Sequence, residues 1–323
     1  MKIEWVKKLD ADGMHNAFTG LAYFKDKYYL AYRKAKGHVT DEAFQVIMTS
    51  DNGKNWKIEH KKCLEHYGNA AATVDYRDSF FLPLDDKLLL YSFVTPVENG
   101  SRGNSYSLAQ IITADSTEWP EPELIQKDCI IWKPVKSGED FYAAGYVGRC
   151  SFLYKSQDGM NWKKKSYISP GSETCLYAPD KEKLVAFVRT EREPYHLEIY
   201  ESAKPFDNWS KINEIPVIIQ CPHVLQMNDK VYILGRERPD YMATADKEKP
   251  SFSAHRTKIW EYENNSLKEV LELPSMGDNS YPGTAVMPDG SLLISYYSQH
   301  ETGEGKEWKQ EMPSDIFIAK IHC

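Results

Sequence analysis

The stretch YPGTAVM-PDG-SLLISYYS, from Tyr281 to Ser298, decides the fold. It reads as a β-rich segment, a Pro-Asp-Gly turn and a second β-rich segment. Asp, Gly and Pro supply the backbone geometry that a tight hairpin needs. The same plan occurs five times upstream: AFTGLAYF-KDK-YYLAYR (Ala17 to Arg33), DSFFLPL-DDK-LLLYSF (Asp78 to Phe93), CIIWKPV-KSGED-FYAAGYV (Cys129 to Val147), ETCLYA-PDKEK-LVAFVR (Glu173 to Arg189) and PHVLQM-NDK-VYILGR (Pro222 to Arg236). The turn residues Asp26, Asp86, Gly138, Asp180, Asp229 and Asp289 are 60, 52, 42, 49 and 60 residues apart. That is the period of a four-stranded propeller blade.

Each hairpin is followed by more β-type sequence, and several of these segments end in a turn closed by tryptophan. Thr49 to Trp56 reads [ST]-x-D-x-G-x-x-W, Ser156 to Trp162 reads S-x-D-G-x-x-W, Thr113 to Trp119 has Ser for Gly, and Ser202 to Trp209 is a worn copy. Asp and Gly close the turn and Trp folds back over a neighbouring sheet, so these boxes are read as structural. The chain ends, Ile3 to Leu9 and Ile316 to Ile321, are both strand-like. An N-terminal strand completing the blade begun by the C-terminus would protect the sheet edges. The expectation is one all-β domain over 1–323, a six-bladed propeller of four-stranded antiparallel blades.

Composition narrows the function classes. Lys+Arg is 40 against 47 Asp+Glu, a net charge of −7, which disfavours nucleic acid as a partner. No apolar run is long enough to span a membrane, and the N-terminus shows no secretion signal, so a cytoplasmic location is expected. The six cysteines form no C-x-x-C pair, and no helical H-x-x-x-H pair occurs, so neither a metal nor a cofactor is expected. Aromatics reach 13%, which suits β structure and sugar-stacking surfaces.

In a propeller, the start of each first strand and the end of each second strand reach the mouth of a central funnel. The starts supply His15, Asn16, Arg77, Asp78, Glu173, His223 and Tyr281. The ends supply Arg33, Arg149, Arg189, Glu191, Arg236, Arg238 and Tyr297, and the loop after Arg33 adds His38 and Asp41. Several arginines at one mouth suggest an anionic ligand, because the guanidinium meets carboxylates with paired hydrogen bonds. The competing reading is ion pairing within the scaffold, notably Arg77 with Asp78 and Arg189 with Glu191. Tyrosine becomes a nucleophile only beside a carboxylate base and cations, and Glu173 with Tyr281 would form such a pair.

The chain resembles the sialidase superfamily of propellers, in particular a bacterial branch grouped by fold. The Asp boxes carry part of the likeness. The segment S-E-T-C-L leading to F-V-R (Ser172 to Arg189), and N-S-Y-P-G with the following hairpin (Asn279 to Tyr297), carry more. The resemblance implies Tyr281 as nucleophile, Glu173 as its glutamate and Arg189 as a carboxylate clamp. Arg236 is a further clamp by its place at a strand end. The family opens its first blade with an aromatic-Arg-Ile-Pro motif, whereas this chain has Met14-His15-Asn16-Ala17-Phe18. Its acid/base aspartate precedes the first Asp box, where this chain offers His38 or Asp41. The leading expectation is an exo-acting glycoside hydrolase for a terminal acidic sugar, with Arg33, Arg77, Asp78, His15, His223 and Tyr297 as further substrate contacts. A uronate lyase with a histidine base, and a glycan-binding propeller without activity, are the alternatives.

Overall fold

The computed structural model describes residues 1–40, 42–63, 73–98, 101–113, 119–239, 252–302 and 309–323. The chain is a six-bladed β-propeller of antiparallel sheets. Its blades fall into two compact units.

The first unit comprises Met1–Lys127 and Pro274–Cys323 and holds three blades. One contains β2 (His15–Phe24), β3 (Lys27–Ala35), β4 (Ala43–Ser50) and β5 (Lys57–Cys63). The next contains β6 (Thr73–Pro83), β7 (Lys87–Glu98), β9 (Tyr106–Thr113) and β10 (Glu123–Gln126), with the short β8 (Ser101–Arg102) paired to β7. The last contains β23 (Asn279–Val286), β24 (Leu292–Ser298) and β25 (Asp315–His322), and is completed by β1 (Lys2–Asp10) on β25. The N-terminal strand therefore completes the C-terminal blade.

The second unit, Asp128–Leu273, holds the other three blades. They are β11 (Ile130–Ser137) to β14 (Lys163–Pro170), with β12 (Asp140–Val147) and β13 (Cys150–Ser156) between; β15 (Ser172–Tyr177) to β18 (Ser210–Ile215), with β16 (Lys183–Arg189) and β17 (Leu197–Ala203) between; and β19 (Ile219–Met227) to β22 (Ser266–Leu273), with β20 (Lys230–Glu237) and β21 (Arg256–Glu263) between. The one helical element among the described residues is a 3-10 turn, Phe252–Ala254, and no helix there is long and apolar enough to cross a membrane.

Local chemistry sets the hairpins. Lys25-Asp26 and Asn228-Asp229 both have positive φ at the two central positions, the requirement of a type I′ turn. Second strands such as β24 are buried along their whole length because both faces are covered. The core lies between successive sheets. Ala22, Phe24, Tyr29, Ala31 and Ile47 meet Leu88, Leu90 and Ile112 in the first unit. Tyr142, Ala144 and Leu153 meet Leu176, Leu184, Val188 and Phe206 in the second.

The tryptophan turns correct one alignment. Asp158 Oδ1 accepts the N–H groups of Met160 and Asn161, and Trp162 Nε1 donates to Gly159 O. In the earlier turn those roles fall to Asn52 Oδ1, with Lys54 and Asn55 as donors, and to Trp56 Nε1 on Gly53 O. The earlier box therefore begins at Ser50 with Asn52 in the aspartate's place, and the two turns have the same length. The turn at 202–209 works differently: Ser202 Oγ donates to Asn208 O, and Trp209 Nε1 to Ser166 Oγ. Most of the Thr113–Trp119 copy lies outside the described residues.

Candidate active site

All six blades carry the same irregularity. In each first strand two residues stand opposite one residue of the second strand, and the first of the two has positive φ. These residues are Phe18, Asp78, Lys133, Glu173, Cys221 and Tyr281, with φ of 59, 42, 35, 44, 50 and 48°. A β-bulge of this kind re-aims a side chain, and a non-glycine residue with positive φ costs on the order of 1 kcal/mol. Pro134, Pro222 and Pro282 follow three of them, at a point where the ladder asks for no N–H. The second-strand residues paired just before each bulge are equally regular: Arg33, Phe93, Ala144, Arg189, Arg236 and Tyr297.

In the first unit β2 packs between β23 and β6 with little room. A Cβ on Gly283 would lie 2.3 Å from Leu21 N, and one on Gly20 would lie 2.4 Å from Ser79 O. Thr19 Oγ1 donates to Tyr281 O at 2.9 Å, tying one bulge to the next. The Phe18 ring then gathers its neighbours edge to face: Tyr281 at 4.8 Å, His38 at 5.4 Å and Tyr297 at 5.5 Å between centroids. The Arg77 guanidinium lies 4.5 Å from the same ring.

Two buried carboxylates organise the charges around it. Asp75 receives Arg33 Nε at 2.7 Å, Arg77 Nη1 at 3.0 Å and Arg102 Nη2 at 3.3 Å. Burial would raise the Asp75 pKa, but Arg77 and then Arg33 bring it below its ordinary value. Burial pulls Arg33 down against Asp75. Arg77 ends above its ordinary value: burial is outweighed by Asp75, Asp78 and the Tyr281 phenol. Asp278, fully buried, receives Tyr297 Oη at 2.9 Å on Oδ1; His38 Nδ1 at 2.7 Å and His15 Nε2 at 3.1 Å lie on Oδ2.

One donor atom from each of His15, His38 and Asp278 lies within 4.8 Å of the others, close enough to span a cation. The surroundings do not suit one. His15 Nδ1 faces Arg33 Nη1 at 3.4 Å, and His38 Nε2 faces Arg77 Nη2 at 3.3 Å. A guanidinium can only donate, whereas a metal-bound imidazole needs its outer nitrogen to donate in turn. The set fits a carboxylate that receives two imidazole N–H groups and a phenol. Burial pushes His38 down to about 4, against the opposing pull of Asp278, so the ring is neutral at pH 7.

In the second unit Glu173 accepts Arg189 Nη1 at 2.6 Å on Oε1 and the Cys221 backbone N–H at 2.7 Å on Oε2. Arg189 also meets Glu191 at 3.3 Å, and its side chain keeps 20% of its surface exposed. Arg236 Nε donates to Gln220 Oε1 at 3.0 Å. His223 is held well below its ordinary pKa by burial and then by Lys133, whose Nζ reaches Pro222 O at 3.4 Å.

Of the residues expected at the mouth, His15, Arg33, His38, Arg77, Tyr281 and Tyr297 belong to the Phe18 cluster, and Asp78 acts on Arg77 through its charge. Glu173, Arg189, Arg236 and His223 belong to the second unit. Asp41 lies outside the described residues. Arg33 Nε and Arg77 Nη1 are both held by Asp75. The sequence reading missed Asp75 and Asp278, which anchor the cluster, and Gln310, whose Nε2 lies 2.9 Å from His38 Nε2. It missed Lys133 and Cys221 as the equivalents of Glu173, although proline at the next position in both is a usable signal.

No protein-family model matches the chain, and no curated protein matches it in sequence. Solved structures match its fold. Trypanosoma rangeli sialidase is 10% identical with a TM-score of 0.64, over 99% of this chain and 58% of its own. The same sialidase, in complex with 2,3-difluorosialic acid as a covalent intermediate, is 12% identical with a TM-score of 0.68, over 95% of this chain and 54% of its own. Phage phi92 endosialidase is 12% identical with a TM-score of 0.63, over 98% and 68%. The chain thus spans little more than half the length of the Trypanosoma enzyme. At these identities the likeness is one of fold.

Proposed function

We propose that the chain is a glycoside hydrolase cleaving a terminal acidic sugar, with Tyr281 as its nucleophile. The observation that carries this reading is the place of Tyr281. Its bulge re-aims the side chain, and the charge of Arg77 acts on the phenol. A nearby cation favours phenolate, the form that attacks an anomeric carbon. Arg77 and Arg102 offer the positive charge that an acidic sugar needs, held in place by Asp75. Proton transfer falls to the 38–41 loop, where His38 and Asp41 are the candidates. The fold neighbours that act on sialic acid support the choice of an acidic sugar. Tyrosine nucleophiles are a recognised exception to the two-carboxylate plan.

Tyr281→Phe removes the phenol oxygen and keeps the main-chain carbonyl that accepts the Thr19 hydroxyl. Turnover of aryl glycosides of sialic and uronic acids should fall by about 10³ or more, with the unfolding midpoint almost unchanged. Full activity in that variant overturns the role. A second reading, elimination from a uronic acid, draws on the neutral His38 imidazole beside the Arg77 guanidinium. An ultraviolet-absorbing unsaturated product would select it over hydrolysis.

A further inference from the structure

We infer that His38 and Asp278 form a catalytic dyad, with Nε2 of His38 as the proton-accepting atom and Asp278 as its positioning residue. The inference decides between the two candidates of the 38–41 loop and takes its chemistry from the hydrolase reading. His38 Nδ1 lies 2.7 Å from Asp278 Oδ2, and a carboxylate can only accept. His38 Nε2 lies 3.3 Å from Arg77 Nη2, which can only donate. One tautomer satisfies both contacts: the proton sits on Nδ1, and the lone pair of Nε2 points away from the carboxylate.

Everything packed on the ring favours that arrangement. From β2, His15 gives Asp278 a second imidazole contact. From β24, Tyr297 donates to its other oxygen. From β6, Arg77 Nη1 donates to His38 O at 2.9 Å. From the loop before β25, Glu311 Oε2 accepts the His38 backbone N–H, and Gln310 lies against Nε2. The remaining charges nearby are Arg33, paired with Asp75, which Arg77 and Arg102 share, and Asp78, which acts on Arg77. Asp278 is wholly buried, whereas the Nε2 side of His38 adjoins the half-buried Gln310 and the His38 side chain keeps 11% exposure. The carboxylate is thus the inner, orienting member and the imidazole the outer, reacting one.

The step balances when a glycosyl group is carried on the Tyr281 oxygen. Nε2 takes a proton from water. The water oxygen keeps the electron pair and bonds to the anomeric carbon. The bond from that carbon to the Tyr281 oxygen breaks, and its pair returns to the phenolate. The proton on Nε2 then passes to the phenolate, which restores neutral His38 and tyrosine. Asp278 stays ionised throughout and stabilises the transient imidazolium.

The test uses the full chain labelled with ¹⁵N-histidine, with His38 assigned by comparison with His38→Gln. In the unaltered protein at pH 7, His38 should carry its proton on Nδ1 and none on Nε2. A ring protonated on Nε2, whether neutral or cationic, overturns the dyad without any variant needing to fold. Asp278→Asn should mix the two tautomers and lower turnover on the order of 100-fold with KM unchanged. It should also move the acid limb of the rate profile to lower pH, because Asp278 is what opposes the fall of the His38 pKa. An unchanged His38 spectrum in Asp278→Asn also overturns the inference. If the unaltered protein turns over no acidic sugar, the hydrolase reading fails, and the tautomer still decides the dyad alone.

Discussion

Tyr281 in β23 and Glu173 in β15 open equivalent bulges, with φ of 48° and 44°, one in each compact unit. Each is tied to the neighbouring first strand, but through different atoms. At Tyr281 the tie uses the main-chain carbonyl, which accepts the Thr19 hydroxyl. At Glu173 it uses the side chain, whose Oε2 accepts the Cys221 N–H. At Glu173 the tie thus runs through the carboxylate itself. The first unit relieves Tyr281 further by giving it dedicated carboxylates, Asp75 for the guanidiniums and Asp278 for the imidazoles. In the second unit Glu173 must satisfy a backbone donor and Arg189 together. Equivalent bulge positions are thus tied to the neighbouring strand through different atoms.

The contrast breaks hardest at Asp75. Asp75→Ala leaves Arg33 buried beside no carboxylate of its own, with Arg77 and Arg102 short of a partner. Removing one member of a buried pair costs about 3–5 kcal/mol. Urea unfolding of the variant should show that loss, and activity should fall with it because Arg77 loses its ion pair with Asp75. A loss under 1 kcal/mol would mean that the first unit does not depend on this carboxylate, and the comparison with Glu173 would lose its basis.

Glu173→Ala is the next test. It removes the carboxylate that accepts the Cys221 N–H and pairs with Arg189, at a cost of about 2 kcal/mol. Tyr281→Phe should cost almost nothing by the same measurement. Equal losses in the two variants would show that both side chains do the same work, contrary to their contacts.

The hairpins and the closing strand were legible because each has a local cause: turn residues at Lys25-Asp26 and Asn228-Asp229, and β-type apolar segments at both chain ends. Tyr281, Glu173 and the second-strand positions Arg33, Arg189, Arg236 and Tyr297 were reachable from strand ends. The bulges at Phe18, Asp78 and Glu173, which no proline follows, were not. A positive φ at Phe18 or Glu173 is imposed by packing between strands and leaves no mark in the residue itself. Asp278 escaped because it stands just ahead of the recognisable Asn279-Ser280-Tyr281 run, and its partners come from His15 and His38, hundreds of residues away in sequence. The arginines were visible, but their division into scaffold and ligand contacts was not, since that depends on where Asp75 lies.

The smallest expected effect concerns a second pair of equivalent sites, the turns at Asn52 and Asp158. Both use one side-chain oxygen to accept two backbone N–H groups, but only Asp158 titrates. Burial is the largest single influence there and opposes ionisation. The N–H of Asn161, with Met160 and Ser156, more than offsets it and holds the Asp158 carboxyl well below its ordinary range. A depressed folded-state pKa means that the stabilisation is present above the unfolded carboxylate's pKa and is lost as pH falls toward the folded one. Asp158→Asn should convert this turn to the Asn52 kind. It should cost about 1 kcal/mol or less at pH 7 and progressively less as the medium is acidified, so that the unfolding curves of variant and parent converge. Parallel curves from pH 7 to pH 3 would show that the carboxylate's charge plays no part, and that the two turns are already alike.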